Sequence, residues 1–171
     1  MDPARKELLP PSLRSRPVAQ VGILVPDLRA GMRTWSPLLG EDDWLVYTYG
    51  PETVQDLTYQ GAAAGFAMRV ALAGTGPQVE LIEPLRGPSI YHEWLRERGH
   101  GLHHLGFHVD SIAEAIEDFR DSGIPLLQSG RGYGLDGDGG FAYFDTQDTV
   151  GVIVEAIEVP KRRRPSEDPA D

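Results

Sequence analysis

The chain of 171 residues contains no cysteine, which excludes a disulfide framework, a thiolate zinc site and a thiol nucleophile. Basic residues are also scarce: 16 lysines and arginines stand against 26 aspartates and glutamates, which leaves a net charge of −10. A protein that binds nucleic acid needs a basic face for the phosphates, and an anionic membrane surface would repel an acidic protein. We therefore expect no nucleic acid and no membrane among its partners.

Long apolar segments are absent as well. No run approaches the roughly 18 apolar residues of a membrane helix. The N-terminal stretch MDPARKELLPPSLRSRP lacks the apolar centre of a signal peptide, which predicts a cytoplasmic protein. The content of 40% hydrophobic and 25% charged residues is typical of one globular domain, or of two small repeated units that share a core.

Both ends of the chain are predicted to be disordered tails. Residues 1–16 mix proline, serine and charge without periodicity, and residues 161–171 (KRRRPSEDPAD) carry charges of both signs. The cluster Lys161–Arg164 fits either an anion-binding patch or a solvated terminus, and the mixed charge around it favours the solvated terminus.

The intervening sequence contains an internal repeat. QVGILVPDLRAGMRTWSPLLG (20–40) and HLGFHVDSIAEAIEDFRDSG (104–123) each begin with a polar residue, alternate through a strand and continue as an amphipathic helix that ends in glycine. A second pair, QVELIEP (78–84) and IVEAIEVP (153–160), repeats an apolar residue, a glutamate, apolar residues, a second glutamate and a proline.

The repeated order of elements defines the fold class. Each copy has a strand, a helix and two or three further strands, with Asp27 and Ser111 as the predicted helix N-caps. This order predicts an α+β fold of two βαβββ modules. The modules occupy residues 17–84 and 100–160, and a connecting helix occupies residues 85–99.

Alternation within the strands sorts the side chains onto two faces of the sheet. The apolar face should lie under the helices, and the opposite face then carries the polar residues Gln20, Glu80, His104 and Glu155. Two carboxylates on an apolar face are costly to bury unless a cation neutralises them. Three oxygen donors and one nitrogen suit a roughly octahedral divalent ion with open positions, so we predict a metal site.

The remaining histidines are assigned other places. His103 is predicted to lie at the helix-facing side or the strand entry, as a surface or a hydrogen-bonding residue, whereas His108 shares the face of His104 and could bind substrate in the cleft. His92 and His100 flank the connecting helix and are expected to be exposed. Further candidates for substrate binding are Tyr47, Tyr49, Met68, Arg69 and Tyr143.

Paired modules with donors on their first and last strands resemble the vicinal oxygen chelate superfamily over residues 17–160. VELIEPLRGPSIYHEWLRERGHGLHHLGFHVDSIAEAI is most similar to the methylmalonyl-CoA epimerases, in which an LHH strand follows a similar helix. The resemblance implies a mixed sheet curled around a cleft with the helices outside, and one divalent metal ion (Co, Ni, Zn or Mn). It also implies a small-molecule substrate and a homodimer.

The chain departs from the epimerase pattern in two respects. Its set of Gln20, Glu80, His104 and Glu155 resembles the ligands of one type of glyoxalase I, whereas epimerases usually have His at the first position and Gln at the second. Epimerases also place a second catalytic carboxylate on the strand before the second ligand, where this chain has alanine and methionine in GFAMRVALA. The sequence thus offers no second base at that position.

The resemblance implies a metal-dependent isomerase, epimerase or lyase that removes a proton α to a carbonyl through a metal-stabilised enediolate. The implied substrate is acyl-CoA-like, or an α-hydroxy or α-keto compound. Glu155 is the first candidate for the general base and Glu80 the second, with Gln20 and His104 as ligands only. Alternatives are a lactoylglutathione lyase-type glyoxalase and a metal-free drug-binding resistance protein. An extradiol-type dioxygenase is disfavoured, because its iron takes two histidines and only His104 falls at a ligand position.

Overall fold

A computed structural model describes residues 10–166, so the parts of the predicted tails at residues 1–9 and 167–171 lie outside the described residues. In chain order the described elements are a 3-10 helix (Pro11–Leu13), β1 (Gln20–Leu24), α1 (Leu28–Leu39), β2 (Leu45–Tyr49), β3 (Gln55–Tyr59), β4 (Ala62–Ala63), β5 (Ala67–Ala73), β6 (Gln78–Arg86), α2 (Ile90–Arg98), β7 (Gly101–His108), α3 (Ile112–Asp121), β8 (Leu126–Tyr133), β9 (Gly139–Phe144), α4 (Gln147–Val150) and β10 (Ile153–Glu158).

The ten strands form one mixed sheet in the order β2-β5-β6-β1-β7-β10-β9-β8-β3-β4. The first strands of the two repeats, β1 and β7, pair antiparallel at its centre, and each also pairs in parallel with the last strand of its own repeat, β6 or β10. The sheet is curled: the rings of Tyr49, on the edge strand β2, and Tyr133, on β8 near the opposite edge, have their centroids 5.2 Å apart. The predicted α+β fold with a curled mixed sheet is confirmed.

Helices α1 and α3 pack on the convex face of the sheet. Asp27 caps α1 by accepting a hydrogen bond from Ala30 N–H at 2.6 Å, and Ser111 caps α3 in the same way from Glu114 N–H at 3.2 Å. Apolar residues on or next to the strands pack against these helices in two clusters. Ile23, Val25 and Leu81 meet Leu28 and Met32 of α1, and Val109, Val154 and Ala156 meet Ala115 and Phe119 of α3.

A hairpin from the first half of the chain joins the second half. β3 and β4 lie between β2 and β5 in sequence, yet β3 pairs antiparallel with β8. The hydroxyl oxygens of Thr58 and Ser129 are 2.7 Å apart across this pair. The hairpin covers the edge of β8, which would otherwise present unpaired backbone groups. Residues 17–84 therefore do not pack as a self-contained module.

The described parts of both predicted tails pack against the sheet. Leu13 is buried beside α3, and Ser12 N–H donates a hydrogen bond to Asp118 at 3.0 Å. At the other end, residues 161–166 run from the β8–β9 turn to β2. Residues 10–16 and 161–166 thus make defined contacts with the rest of the fold. Within the described range, no helix combines the length and apolar character needed to cross a membrane.

Candidate metal centre and cleft

Four adjacent strands at the centre of the sheet bring the predicted donors together on the concave face. Gln20 begins β1, Glu80 lies on β6, His104 on β7 and Glu155 on β10. Each side chain points away from the helices, as the period-two alternation predicts, and each is buried. The two repeats thus contribute two donors each to one site.

The donor atoms converge closely. Nε2 of His104 lies 3.0 Å from Oε2 of Glu155 and 3.4 Å from Oε2 of Glu80, and one donor atom from each of the three residues falls within 4.8 Å of the others. The amide atom of Gln20 that faces the carboxylates lies 3.2 Å from Glu80 Oε2 and 3.3 Å from Glu155 Oε2.

This arrangement fits a cation better than it fits internal hydrogen bonding. Nε2 of His104 is buried, and among residues 10–166 it has no aligned hydrogen-bond partner despite the nearby carboxylates. The side-chain oxygen of Gln20 faces only acceptors, so without a cation its amide would have to turn by 180° to donate to Glu80 and Glu155. Three oxygens and one nitrogen that point at one another are the donor set expected around a divalent ion.

Glycines opposite the donors make room for them. In the antiparallel β1–β7 pair, His104 lies opposite Gly22 and Gln20 lies opposite Gly106. A Cβ atom at Gly22 would overlap the imidazole of His104, and one at Gly106 would lie 3.0 Å from Gln20 Cβ and 3.3 Å from Glu155 Oε2. Glycine within a strand often marks such a close approach.

Of the two alternatives for His103, a position at the surface is wrong, because β7 contains a β-bulge, whereas a role in hydrogen bonding agrees with its contact to His104. Gly22 pairs with His104 but the next residue of β1 pairs with Leu102, so His103 is the extra residue of the bulge. Its side chain is fully buried between α2 and the cleft, with its ring centroid 5.0 Å from that of Trp94. Nδ1 of His103 lies 3.0 Å from Nδ1 of His104.

The electrostatics of the two histidines differ. Burial alone would lower the pKa of His104, but the carboxylates of Glu155 and Glu80 raise the pKa to about 9. Burial and the neighbouring His104 hold the pKa of His103 well below its usual range. Since His103 is neutral, its Nδ1 can accept a hydrogen bond from Nδ1–H of His104, which leaves Nε2 of His104 free for a cation. Burial also raises the pKa of Glu80.

A small cavity of about 40 Å³ opens beside the donors, and tyrosines line much of it. Tyr91 donates a hydrogen bond to the hydroxyl oxygen of Tyr143 at 2.9 Å, and the Tyr143 ring lies 5.0 Å from that of His104. Burial holds the pKa of Tyr91, Tyr133 and Tyr143 well above the usual range. The phenols therefore stay neutral and can serve as hydrogen-bond donors.

A larger cavity of about 380 Å³ adjoins the first, and Tyr49, Tyr133 and Arg163 line both. Of the residues predicted to bind substrate, Met68, Tyr49 and Tyr143 line the inner cavity and Tyr47 lines the outer one. Their positions allow contact with a ligand in these cavities, and their roles in substrate binding stay predictions.

Two predicted cleft residues lie elsewhere. Arg69 neighbours Met68 on β5, so alternation turns it toward the helices, where its Nη2 lies 2.9 Å from Glu83 Oε2. The same oxygen of Glu83 accepts a hydrogen bond from Leu28 N–H at the start of α1. His108 is exposed at the end of β7, outside the lining of both cavities.

The histidines beside α2 also lie away from the cleft. His100 is exposed, as predicted, whereas His92 is half-buried and its Nδ1 lies 3.1 Å from Ser89 Oγ.

Sequence reasoning missed three polar side chains that line the inner cavity, those of Tyr91, Tyr133 and Arg163. Tyr91 is on the connecting helix α2, and no local sequence pattern indicates which turn of that helix faces the cleft. Tyr133 ends β8 in the glycine-rich segment SGRGYGLDGDGG, and Arg163 lies in the predicted C-terminal tail. For Arg163, the basic cluster Lys161–Arg164 and its alternative interpretation as an anion-binding patch were the indication in the sequence.

The sequence profile of the Glyoxalase/Bleomycin resistance protein/Dioxygenase superfamily matches residues 19–144. The uncharacterized protein YqjC of Bacillus subtilis (strain 168) is 33% identical over 81 residues, which are 47% of this chain and 57% of that protein. The match therefore spans little more than half the length of this curated relative.

Solved structures share the fold. Methylmalonyl-CoA epimerase from Mycobacterium tuberculosis matches with a TM-score of 0.61 and 27% identity, over 92% of this chain and 97% of that chain. Hypothetical protein BH1468 from Bacillus halodurans C-125 matches with a TM-score of 0.60 and 23% identity, over 91% and 100% of the two chains. A methylmalonyl-CoA epimerase in complex with methylmalonyl-CoA and NH4+ matches with a TM-score of 0.59 and 22% identity, over 88% and 99%. The chain therefore belongs to the glyoxalase/bleomycin resistance protein/dioxygenase superfamily, also called the vicinal oxygen chelate superfamily.

Proposed function

We propose that the protein is a metal-dependent isomerase or lyase that removes a proton from the carbon next to a carbonyl group. One observation carries this proposal: four buried donors from both repeats converge in a cleft with their acceptor atoms facing one another. An unneutralised cluster of this kind is costly to bury, so its presence favours a bound divalent cation.

Gln20, Glu80, His104 and Glu155 would hold the ion, which is one of Co, Ni, Zn or Mn. A divalent ion bound there supplies Lewis acidity, which polarises a carbonyl oxygen and makes the adjacent C–H more acidic. The protein contributes a buried site, and a buried site strengthens electrostatic interactions because little water screens them.

Glu155 is proposed as the general base and Glu80 as the second candidate. These two residues supply the carboxylates that line the inner cavity in the described part of the chain. The nearby part of β5 contributes the apolar side chains of Met68, Val70 and Leu72 to the cavity. Burial raises the pKa of Glu80, because desolvation disfavours its charged form, which makes this carboxylate a stronger base than one in water.

An acyl-CoA-like thioester is the proposed substrate, because epimerases are among the structural neighbours and one was solved with methylmalonyl-CoA. A lactoylglutathione lyase-type glyoxalase is the second candidate. It is favoured by the donor set and by Met68, which occupies the cavity wall where the epimerase resemblance calls for a second acid. A single base that removes and returns the proton is sufficient for such an isomerisation. A cytoplasmic homodimer remains a prediction.

The proposal is tested in two steps on the full chain. The first is metal content by elemental mass spectrometry for the wild type, Glu80→Gln, Glu155→Gln and the control Glu97→Gln, which removes an exposed carboxylate. We expect about one ion per chain in the wild type and the control, and little in the other two.

The second step compares two reactions of the metal-loaded wild type. Hydrogen–deuterium exchange at the α-carbon of methylmalonyl-CoA in deuterated water supports the acyl-CoA assignment. Turnover of the hemithioacetal of methylglyoxal and glutathione supports the glyoxalase instead. A wild type that binds none of the four metals contradicts the proposal in either form.

A further inference from the structure

Residues 161–166 form an extended segment that is held at both ends. At its start, Leu135 N–H in the β8–β9 turn donates a hydrogen bond to the backbone oxygen of Arg162 at 2.8 Å. The Arg162 side chain also pairs with Asp136, with Nε 2.9 Å from Oδ2. The start of the segment is therefore attached to the second half of the sheet.

The other end of the segment is attached to β2, in the first half of the sheet. Ser166 N–H donates to the backbone oxygen of Val46 at 2.8 Å, and the Ser166 hydroxyl accepts a hydrogen bond from Thr48 N–H at 2.9 Å. The segment thus bridges the two walls of the outer cavity and lines it with Arg163, Arg164 and Ser166.

Arg163 is the residue of this segment that reaches the inner cavity as well as the outer one. Its guanidinium carbon lies 4.9 Å from the centroid of the Tyr47 ring, a cation–π contact, and the group is within hydrogen-bonding reach of the Tyr49 side chain. Two tyrosines therefore hold a half-buried guanidinium at the junction of the two cavities.

The charges around the inner cavity leave Arg163 available for an anion. The two carboxylates there, Glu80 and Glu155, would be neutralised by a divalent ion. Arg163 is the guanidinium that lines both cavities in the described part of the chain, since Arg69 pairs with Glu83 on the helix side. With the ion bound, the charge of Arg163 has no carboxylate counterpart among the residues that line the inner cavity.

We propose that Arg163 binds a carboxylate of the substrate where the inner and outer cavities meet. This inference rests on the proposed function and narrows its substrate class to carbonyl compounds that carry a carboxylate near the reacting carbon. The planar guanidinium can form two parallel hydrogen bonds with a carboxylate. The reacting carbonyl would then face the donors of the inner cavity, and the rest of the substrate would occupy the outer cavity of about 380 Å³.

The test compares two thioesters that differ by one carboxylate, malonyl-CoA and acetyl-CoA. Their affinities for the metal-loaded full chain are measured by isothermal titration calorimetry for the wild type, Arg163→Gln and Arg163→Lys. Lys161→Gln is the matched control, because it removes one positive charge from an exposed position on the same segment. We expect the wild type and the control to bind malonyl-CoA at least tenfold more tightly than acetyl-CoA. Arg163→Gln should abolish that preference, and Arg163→Lys should retain part of it.

Equal weakening of both thioesters by Arg163→Gln would assign Arg163 to the phosphates of coenzyme A and overturn the carboxylate assignment. A wild type that lacks the preference, or that binds neither thioester, also overturns it. Thermal unfolding of each variant checks the fold, and Arg163→Lys keeps the test decisive if Arg163→Gln is unstable. Failure of the proposed function can be distinguished from failure of this inference. If the protein prefers malonyl-CoA through Arg163 but does not exchange the α-proton, the carboxylate assignment stands and the proposed reaction is wrong.

Discussion

The two repeats of the chain build the same framework but equip it differently. Each places one donor on its first strand opposite a glycine of the other repeat, His104 opposite Gly22 and Gln20 opposite Gly106. The second repeat adds a bulge that buries His103 against its donor, whereas the first repeat has no bulge residue on β1. The duplicated sheet thus provides the positions of the donors, while the bulge gives His104 a polar neighbour on its own strand.

The largest expected effect comes from filling the space opposite a donor. Gly22→Ala should abolish metal binding, because the new methyl group would overlap the His104 ring, and should destabilise the protein by about 1–3 kcal/mol. Gly106→Ala should weaken metal binding about tenfold, since its methyl group would lie 2.8 Å from Ile157 Cδ1 and 3.0 Å from Gln20 Cβ and would press on both. Metal titration and urea unfolding of both variants measure the difference. Equal effects of the two substitutions would contradict the asymmetry.

Removing the donors themselves should have the next largest effect. His104→Ala removes a fully buried imidazole and should lower metal affinity more than 100-fold, whereas Gln20→Ala removes a neutral oxygen donor and should lower it roughly tenfold. Competition with a metal-sensitive dye gives both dissociation constants. A larger loss of metal affinity in Gln20→Ala than in His104→Ala would contradict this order and make Gln20 of the first repeat the stronger ligand.

The metal-free protein should lose stability as pH rises from about 6.5 to 9. The folded-state pKa of His104 is about 9, above the value near 6.5 expected in the unfolded chain. Its contribution to stability is therefore complete below about pH 6.5 and lost as pH rises through the folded pKa. Metal affinity should increase over the same interval, because a ligating Nε2 must be deprotonated.

Melting temperatures of metal-free wild type and His104→Gln across this pH range test the assignment. The variant should show a smaller fall, and an unchanged fall would attribute the pH dependence to other groups.

An effect no larger than that of Gln20→Ala is expected at His103, the residue that distinguishes the repeats. His103→Phe keeps a ring between α2 and the cleft but removes the acceptor for Nδ1–H of His104, so metal affinity should fall about 10-fold. The readout is the pH profile of metal binding, which should shift if His103 orients the proton of His104. An unaltered affinity and profile would make His103 a packing residue only.

The sequence predicted the features that depend on local periodicity. Alternation along β1, β6, β7 and β10 was sufficient to place all four donors on the face opposite the helices, and the cap residues Asp27 and Ser111 were recognisable from residue type and spacing. Alternation also shows why Met68 and Arg69, as neighbours on one strand, cannot both enter the cleft.

The features that depend on distant partners were not predictable from the sequence. The bulge at His103 arises from the register between β7 and β1, and the pairing of β3 with β8 joins segments about 70 residues apart. The segment around Arg163 resembles a solvated tail because its anchors, Asp136 and the backbone of β2, lie far away in the chain.

The central claim is that both repeats contribute ligands to one divalent cation. It is tested most directly by anomalous diffraction at the absorption edge of the metal, on crystals of the full chain grown with zinc or cobalt. The account predicts one peak within bonding distance of Gln20, Glu80, His104 and Glu155, with the Gln20 amide oxygen turned toward it. A metal-loaded crystal with its peak elsewhere, or with the Gln20 amide nitrogen donating to both carboxylates and no peak between them, would contradict it.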